Sequence, residues 1–522
     1  MVILVDSEPT SPTKSQGTWS PRPGSSQVGS SQAPTSRYGV VSRSPEAASP
    51  IPPPAYSQAA NVPLLPAPQQ KPTRRTAATK RFCSAFSIAL VILLVTTTLG
   101  NILFAGYEVV WENDPRPEDG NIVSCSKHWS DPVQVHAQGA GDEAFDSTMI
   151  PGFPVFTASK SYTLPINKSL HYIVAHGSLS SGVVNIRSNN AIDPGYVDVK
   201  VMANYWTEEA LSYSQVCELR KPEGGVGLGI YVSNLENELN TQLNQRMQTP
   251  SGRFSPGRGL EQRITWTVTV TFPTTSRSIL ELNAFATNMD NFRHSIEGLG
   301  RVHFEHLSLK GSNGPIESDG LSVSQATIVT SNSKITGKFS TDDSLTLKTT
   351  NGAIDADVDV TNDDTHKAST LELTTSNARI ASRISLLTTH GQRPQPKGGH
   401  FTVKATTSNG RLDISYPTSP VNSLLDFNAE SSNGSADIAL HAAYEGTFAL
   451  STSNSHIELD DEHPSDPSGR GRNRDVHKNG GRSSRQLSGT IFWGDEKDHD
   501  KNAETGRVIV STSNSWARLR LL

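Results

Sequence analysis

Between residues 300 and 522, apolar and polar positions alternate in short runs that change parity at intervals, and each change falls on an asparagine. Eight copies of the phrase centre on Asn313, Asn332, Asn351, Asn377, Asn409, Asn433, Asn454 and Asn514. Each Asn follows a Ser/Thr pair (Gly-Ser in the first copy) and precedes Gly, Ser or Ala. Counting from the Asn, small or apolar residues tend to fall at −6, −4 and −2 and again at +3, +5 and +7. Around Asn351 these are Leu345, Leu347 and Thr349, then Ile354, Ala356 and Val358. Alternation with period two marks a strand, and the parity shift marks a corner where the chain re-aims its inward face. Stacked strand–corner–strand units of this size predict an all-β repeat domain of β-solenoid or β-roll type over 306–522.

Spacings between successive asparagines run 19, 19, 26, 32, 24, 21 and 60 residues. A unit of about 16 residues with loops of variable length accounts for them, because surface loops absorb insertions at small entropic cost. The longest interval contains a Gly-, Arg- and Asp-rich tract, 460–486, expected to be a disordered insert. Upstream, 151–305 reads as β-rich but irregular. Alternating or apolar runs lie at 161–164, 170–175, 182–186, 196–202, 227–232, 264–272 and 279–286, and 234–246 reads as one short helix. Residues 107–150 read as a stalk, since Asp114-Pro-Arg-Pro-Glu-Asp-Gly propagates neither helix nor sheet.

The run Phe82–Ala105 has 24 residues and no charge. As a helix it is about 36 Å long, enough to cross a hydrocarbon core of roughly 30 Å. Lys71, Arg74, Arg75, Lys80 and Arg81 precede it; Glu108, Glu112, Asp114, Glu118 and Asp119 follow. The positive-inside rule therefore predicts a signal-anchor helix over 81–106 of a single-pass type II membrane protein, with the C-terminal domain exoplasmic. The expected location is the plasma membrane or the secretory pathway.

Composition adds to this. Only 34% of the chain is hydrophobic, and residues 1–80 are mostly Ser, Pro, Thr, Gln and Ala, which predicts a disordered cytoplasmic tail. Net charge is −5, which argues against a general nucleic-acid binder. The three cysteines exclude a dense disulfide framework and a multi-Cys zinc site. Cys125 and Cys217 lie beyond the span, where an oxidising compartment favours pairing them. Cys83 is a candidate for palmitoylation or an ordinary membrane thiol. Asn167-Lys-Ser and Asn433-Gly-Ser are glycosylation sequons on the predicted outer side. In the tail, Pro53-Pro54-Ala55-Tyr56 matches the PPxY pattern of WW-domain ligands, in which the prolines pre-set a polyproline II helix and Tyr56 fills the adjacent slot. A Pro-rich tail also produces such a tetrapeptide by chance.

The repeated S/T-S-N-G units resemble the putative-adhesin domains of unknown function common in bacteria. With the Pro/Ser tail and signal anchor, the arrangement also resembles uncharacterised fungal single-pass membrane proteins. The resemblance covers mainly 300–522, implies a β-solenoid-like fold and a surface role, and carries over no catalytic residue. The corner asparagines have two physical rationales: tolerance of left-handed backbone geometry, and side-chain ladders between identical residues in adjacent coils.

No nucleophile elbow, phosphate loop, zinc motif or dinucleotide fingerprint occurs, so no cofactor or metal is expected. His303 and His306, an odd number apart on a strand, are expected on opposite faces. Asp355, Asp357, Asp413 and Asp437 stand at +4 or +6 and are expected to point outward. Paired carboxylates on stacked coils are what a carbohydrate-acting enzyme would use. The leading expectation is a non-enzymatic protein whose ectodomain contacts glycans or proteins at a surface or wall. The alternatives are a membrane-anchored carbohydrate-active enzyme and a trafficking adaptor acting through its PPxY tail.

Overall fold

The computed structural model describes residues 116–522 apart from 127–128, 131–132, 136–154, 178–179, 233–263, 275–277, 365, 390–397, 481–484 and 495–504. They belong to one compact unit, 106–522. The tail, the apolar span, Cys83, the PPxY motif and the 234–246 helix lie outside the described residues. Among the described residues no helix is long and apolar enough to cross a membrane.

Among the described residues the architecture is nearly all β: 27 strands in one hydrogen-bonded network, with one five-residue α-helix at Glu208–Ser212. The runs expected from 151 to 305 are strands, among them Val155–Pro165, Leu170–His176, Ser181–Asn189, Tyr196–Tyr205, Gly225–Val232, Ile264–Pro273 and Leu280–Met289. Within the repeats the strands pair in parallel in two series. One holds the strands that run into each corner Asn, in the order Ser344–Lys348, Ser369–Thr374, His400–Thr407 and Leu424–Ser431. The other holds the strands that leave it, Ile335–Thr341, Ile354–Thr361, Ile380–Leu387, Leu412–Thr418 and Ala436–Leu440. Ile316–Val329 and Ile335–Lys348 belong to both series and join them into one sheet.

Register follows from the apolar positions. Leu345, Leu371, Val403, Phe427 and Val508 are successive partners in the first series, all buried. Ile335, Ile354, Ile380, Leu412, Ala436 and Ala517, all at +3, are successive partners in the second. A slip of one residue would turn each such row to solvent, so burial fixes the pairing. Fully burying each large side chain contributes about 1.5–3 kcal/mol.

Four expectations need correction. The tract 460–486 is largely ordered: Arg474–Asn479 pairs antiparallel with Gln486–Trp493, which pairs with Gly446–Thr452. Its polar composition hid the apolar Val476, which packs against the core, and the Arg472 and Arg474 ion pairs. The 107–150 segment is not only a stalk, because Asn121–Ser126 pairs with Ser214–Arg220 and Val133–Val135 with Val155–Pro165. His303 and His306 both face outward: alternation breaks at Glu305–His306, with Phe304 and Leu307 inside. Asp437 points away from the core yet is buried, its side chain 3% exposed beneath three arginines.

Chain order also departs from simple stacking. The last repeat, Gly506–Thr512 and Ala517–Leu521, inserts between the Asn433 and Asn454 repeats.

One coil carries a polar core residue. His294 stands at +3 from Asn291, in the row otherwise filled by Ile, Leu or Ala, and is fully buried. Its Nε2 lies 2.9 Å from Thr287 Oγ1, and its Nδ1 has no partner. Burial pushes its pKa down to about 4. The folded value lies below the unfolded value near 6.5, so the contribution is complete above that pH. It is lost as pH falls toward 4, by on the order of 3 kcal/mol. Urea unfolding of wild type and His294→Ile between pH 7.5 and 4 is expected to show a shallower pH dependence for the variant; parallel curves would refute the assignment.

Candidate functional site: the asparagine edge and the loop edge

The corner amides form one continuous ladder. Nδ2 of each Asn donates to Oδ1 of its neighbour: Asn313 to Asn291, Asn332 to Asn313, Asn351 to Asn332, Asn377 to Asn351, Asn409 to Asn377 and Asn433 to Asn409. Asn514 then donates to Asn433 and Asn454 to Asn514, every contact measuring 2.6–2.8 Å. All eight predicted corner residues are exposed. None has positive φ, which leaves the amide ladder, not left-handed geometry, as the reason for Asn. The ninth rung, Asn291, was not legible because Met289-Asp290 replaces the Ser/Thr pair and Phe292 follows it.

The flanking residues serve the same corner. Each Asn N–H donates to a carbonyl in the adjacent corner, as Asn351 does to Ser331 at 2.8 Å. The hydroxyl at −2 points inward and donates to a carbonyl of that neighbouring corner: Thr349 to Ser333 at 3.1 Å, Thr375 to Gly352 at 3.0 Å, Ser431 to Gly410 at 3.0 Å. A buried carbonyl left unpaired would cost about 1–3 kcal/mol, which accounts for Ser/Thr in an otherwise apolar row. In the eight repeats from Asn313 to Asn514 the residue at +1 is never larger than Ser, and a Cβ on Gly352 would fall 1.7 Å from the Ser333 carbonyl oxygen.

On the outward face of the second series, the carboxylates singled out from sequence are ion-paired. Arg379 Nη2 lies 3.1 Å from Asp355, Arg383 Nε 3.9 Å from Asp357 and Arg411 Nη2 3.4 Å from Asp413. Asp437 accepts from Arg518, Arg520 and Arg411. Burial works to raise its pKa, and these guanidinium groups outweigh it and hold the carboxyl below its ordinary value. Each carboxyl group whose pKa is shifted is shifted down, Glu317 by Lys334 and Arg293 against its own partial burial.

Two closures bound the sheet. At one end Cys125 and Cys217 form a disulfide across the paired strands Asn121–Ser126 and Ser214–Arg220. It spans 92 residues, a loop whose closure restricts the unfolded chain by about 4–5 kcal/mol in the entropic account. Nearby, Asp119 is buried and accepts from Tyr231 Oη at 3.0 Å and Arg116 N–H at 3.0 Å, with His176 Nε2 at 3.0 Å. At the other end Arg474 pairs with Asp461 and donates to the Leu521 and Leu522 carbonyls at 3.0 and 3.1 Å.

The opposite edge, where chains return from the second series to the first, carries open cavities. One of about 490 Å³ is lined by Asp319, Lys338, Asp357, Asp359, Arg383 and neighbours. A second, of about 400 Å³, shares Gly300 and Ser322 with it and includes His303 and Ile279. Lys338 and Asp359 were missed from sequence because outward polar residues carry no period of their own. Of the sequons, Asn167 is exposed in the turn between strands, whereas Asn433 is a ladder rung. Among the described residues no group of His, Cys, Asp and Glu is arranged to hold a metal ion.

Against known proteins, the profile of a domain of unknown function, DUF7330, matches residues 325–465, inside the ladder region. No match was found among curated proteins. A solved structure titled as a "putative cell adhesion protein" from Clostridium sporogenes aligns over 70% of this chain and 100% of its own, at 10% identity and a TM-score of 0.14. A TM-score that low carries no argument about function.

Replacing Asn351 tests the ladder. Asn351→Ala removes one donated and one accepted hydrogen bond, an expected loss of about 1–2 kcal/mol. Asn351→Asp sets an acceptor against Asn332 Oδ1 and should cost more at neutral pH, with part of the difference recovered below pH 4. Denaturant midpoints equal for all three proteins would show that the ladder contributes nothing.

Proposed function

We propose that the chain is a non-enzymatic, single-pass type II membrane protein of the plasma membrane or secretory pathway. Its exoplasmic part is a β-solenoid that mediates adhesion or contact with a cell surface or wall. The observation that carries this reading is a disulfide-closed β unit directly after a 24-residue uncharged run with cations before it and acids after it. Disulfides persist in oxidising compartments, and the charge asymmetry gives the same orientation. Parallel ladders in two series, with one amide rung per repeat, support the solenoid reading. The surface role rests on the resemblance of the repeats to adhesin domains.

The enzymatic alternative is the weaker one. A glycoside-cleaving pair needs one carboxyl with a raised pKa and one free to attack. Here Asp355, Asp357 and Asp413 face arginines, and Asp437 is enclosed by them. On the cytoplasmic side the PPxY segment, Pro53, Pro54 and Tyr56, recruits WW-domain proteins that govern trafficking.

Topology is tested by expressing the full chain with a C-terminal epitope in a eukaryotic cell. The epitope should be protected from protease in sealed microsomes, and Asn167→Gln should abolish a glycosidase-sensitive mobility shift. Asn433→Gln should leave that shift unchanged, because rungs one strand spacing apart, about 4.8 Å, leave a glycan no room. An accessible epitope with no glycan at either site would refute the orientation. Tyr56→Ala should abolish capture by an isolated WW domain and lengthen surface half-life; no change in either would remove the tail from the reading.

A further inference from the structure

The two long edges differ in how far their polar groups are satisfied. On the asparagine edge every rung is bonded to its neighbour. On the loop edge the two adjoining cavities of about 490 and 400 Å³ form a trough. Its walls are ordered by strand pairing: Lys338, Asp357 and Arg383 are successive partners, and so are Ser340, Asp359 and Ser385. These two rows cross the strands, each offering a charged or hydroxyl group every strand spacing of about 4.8 Å. The larger cavity extends to Asp319 at one end and Pro417 at the other, five strands and about 19 Å. Among the described residues, the Lys338 and Asp359 side chains make no hydrogen bond or ion pair. Ile279, 60% exposed, lines the adjoining cavity beside His303 and provides an apolar platform.

We propose that this trough binds a linear, hydroxyl-rich polysaccharide that is uncharged or amine-bearing. Donors and acceptors repeat along the trough, as a polymer of repeating hydroxyls requires, and its length takes a few sugar rings. Asp319, Asp357 and Asp359 outnumber Lys338 and Arg383, which disfavours a polyuronate. The site is for binding, because the carboxyl groups here carry no feature of an acid–nucleophile pair. The proposal rests on the surface-contact reading above and gives it a place and a ligand class.

The test is calorimetry on the full chain in detergent with three probes: a chitin hexamer, a β-glucan hexamer and a galacturonic acid hexamer. Wild type should bind an uncharged hexamer, and the double variant Lys338→Gln/Asp359→Asn should bind it at least ~10-fold more weakly, as expected for two lost hydrogen bonds. Both side chains lack internal partners, so the melting temperature should not change. Lys404→Gln, on the outward side of the other series, should bind as wild type. Unchanged affinity in the double variant, binding of the galacturonic acid hexamer alone, or no binding of any hexamer would overturn the proposal. Retention of wild type on cell-wall particles separates the two readings: retention without hexamer binding removes the trough and leaves surface contact standing, and no retention removes both.

Discussion

Neighbouring strands in a parallel ladder lie about 4.8 Å apart, and a primary amide is the smallest side chain that can both donate and accept across that gap without help from water. The corner asparagines exploit this at every turn from Asn291 to Asn454. Because the rung joins equivalent atoms, it holds only when successive turns are in register, and the same register is what buries the rows of Leu, Val and Ile. Side-chain amide, −2 hydroxyl and small +1 residue form one device. The amide bridges corners on the surface, the hydroxyl satisfies a carbonyl beneath it, and the small residue permits the close approach both need.

A ladder of this kind has two ends, and open strand edges invite uncontrolled pairing. The chain closes them in different ways. At the N-terminal end antiparallel strands and a disulfide fold the chain back, and Asp119 is sunk among His176, Tyr231 and the Arg116 N–H. At the C-terminal end the charged tract after Asp461 turns into a hairpin pinned by Arg474. Inserting the last repeat between the Asn433 and Asn454 repeats makes it the next-to-last rung, so fraying there must break pairs on both sides.

The faces divide the work. Among the outward carboxylates of the second series, Asp355, Asp357 and Asp437 are matched by arginines one strand away and Asp413 by Arg411 two residues before it. Exposed pairs of this sort contribute about 0–1 kcal/mol each, so their role is spacing and solubility more than stability. Toward the loop edge the Lys338 and Asp359 side chains stand without partners among the described residues, beside the open cavities they line.

The repeat, the inward positions and the corner residues could be read from the chain alone, because burial imposes period two and the Asn rung imposes one residue type at one phase. Strands in the irregular region were legible for the same reason. The ninth rung and the place of the last repeat were not, since Asn291 lacks the flanking phrase and strand order between equivalent repeats leaves no mark in local pattern. Asp437 looked like a solvated carboxylate until Arg411, Arg518 and Arg520, distant in sequence, were brought over it. The 460–486 tract looked incapable of order because, apart from Val476, it is held by ion pairs and a borrowed sheet edge more than by its own apolar content. Local periodicity thus determined which side chains face inward, while tertiary structure decided which turns are neighbours, which charges meet, and where a polar edge is left open, because those depend on contacts between segments that share no sequence proximity.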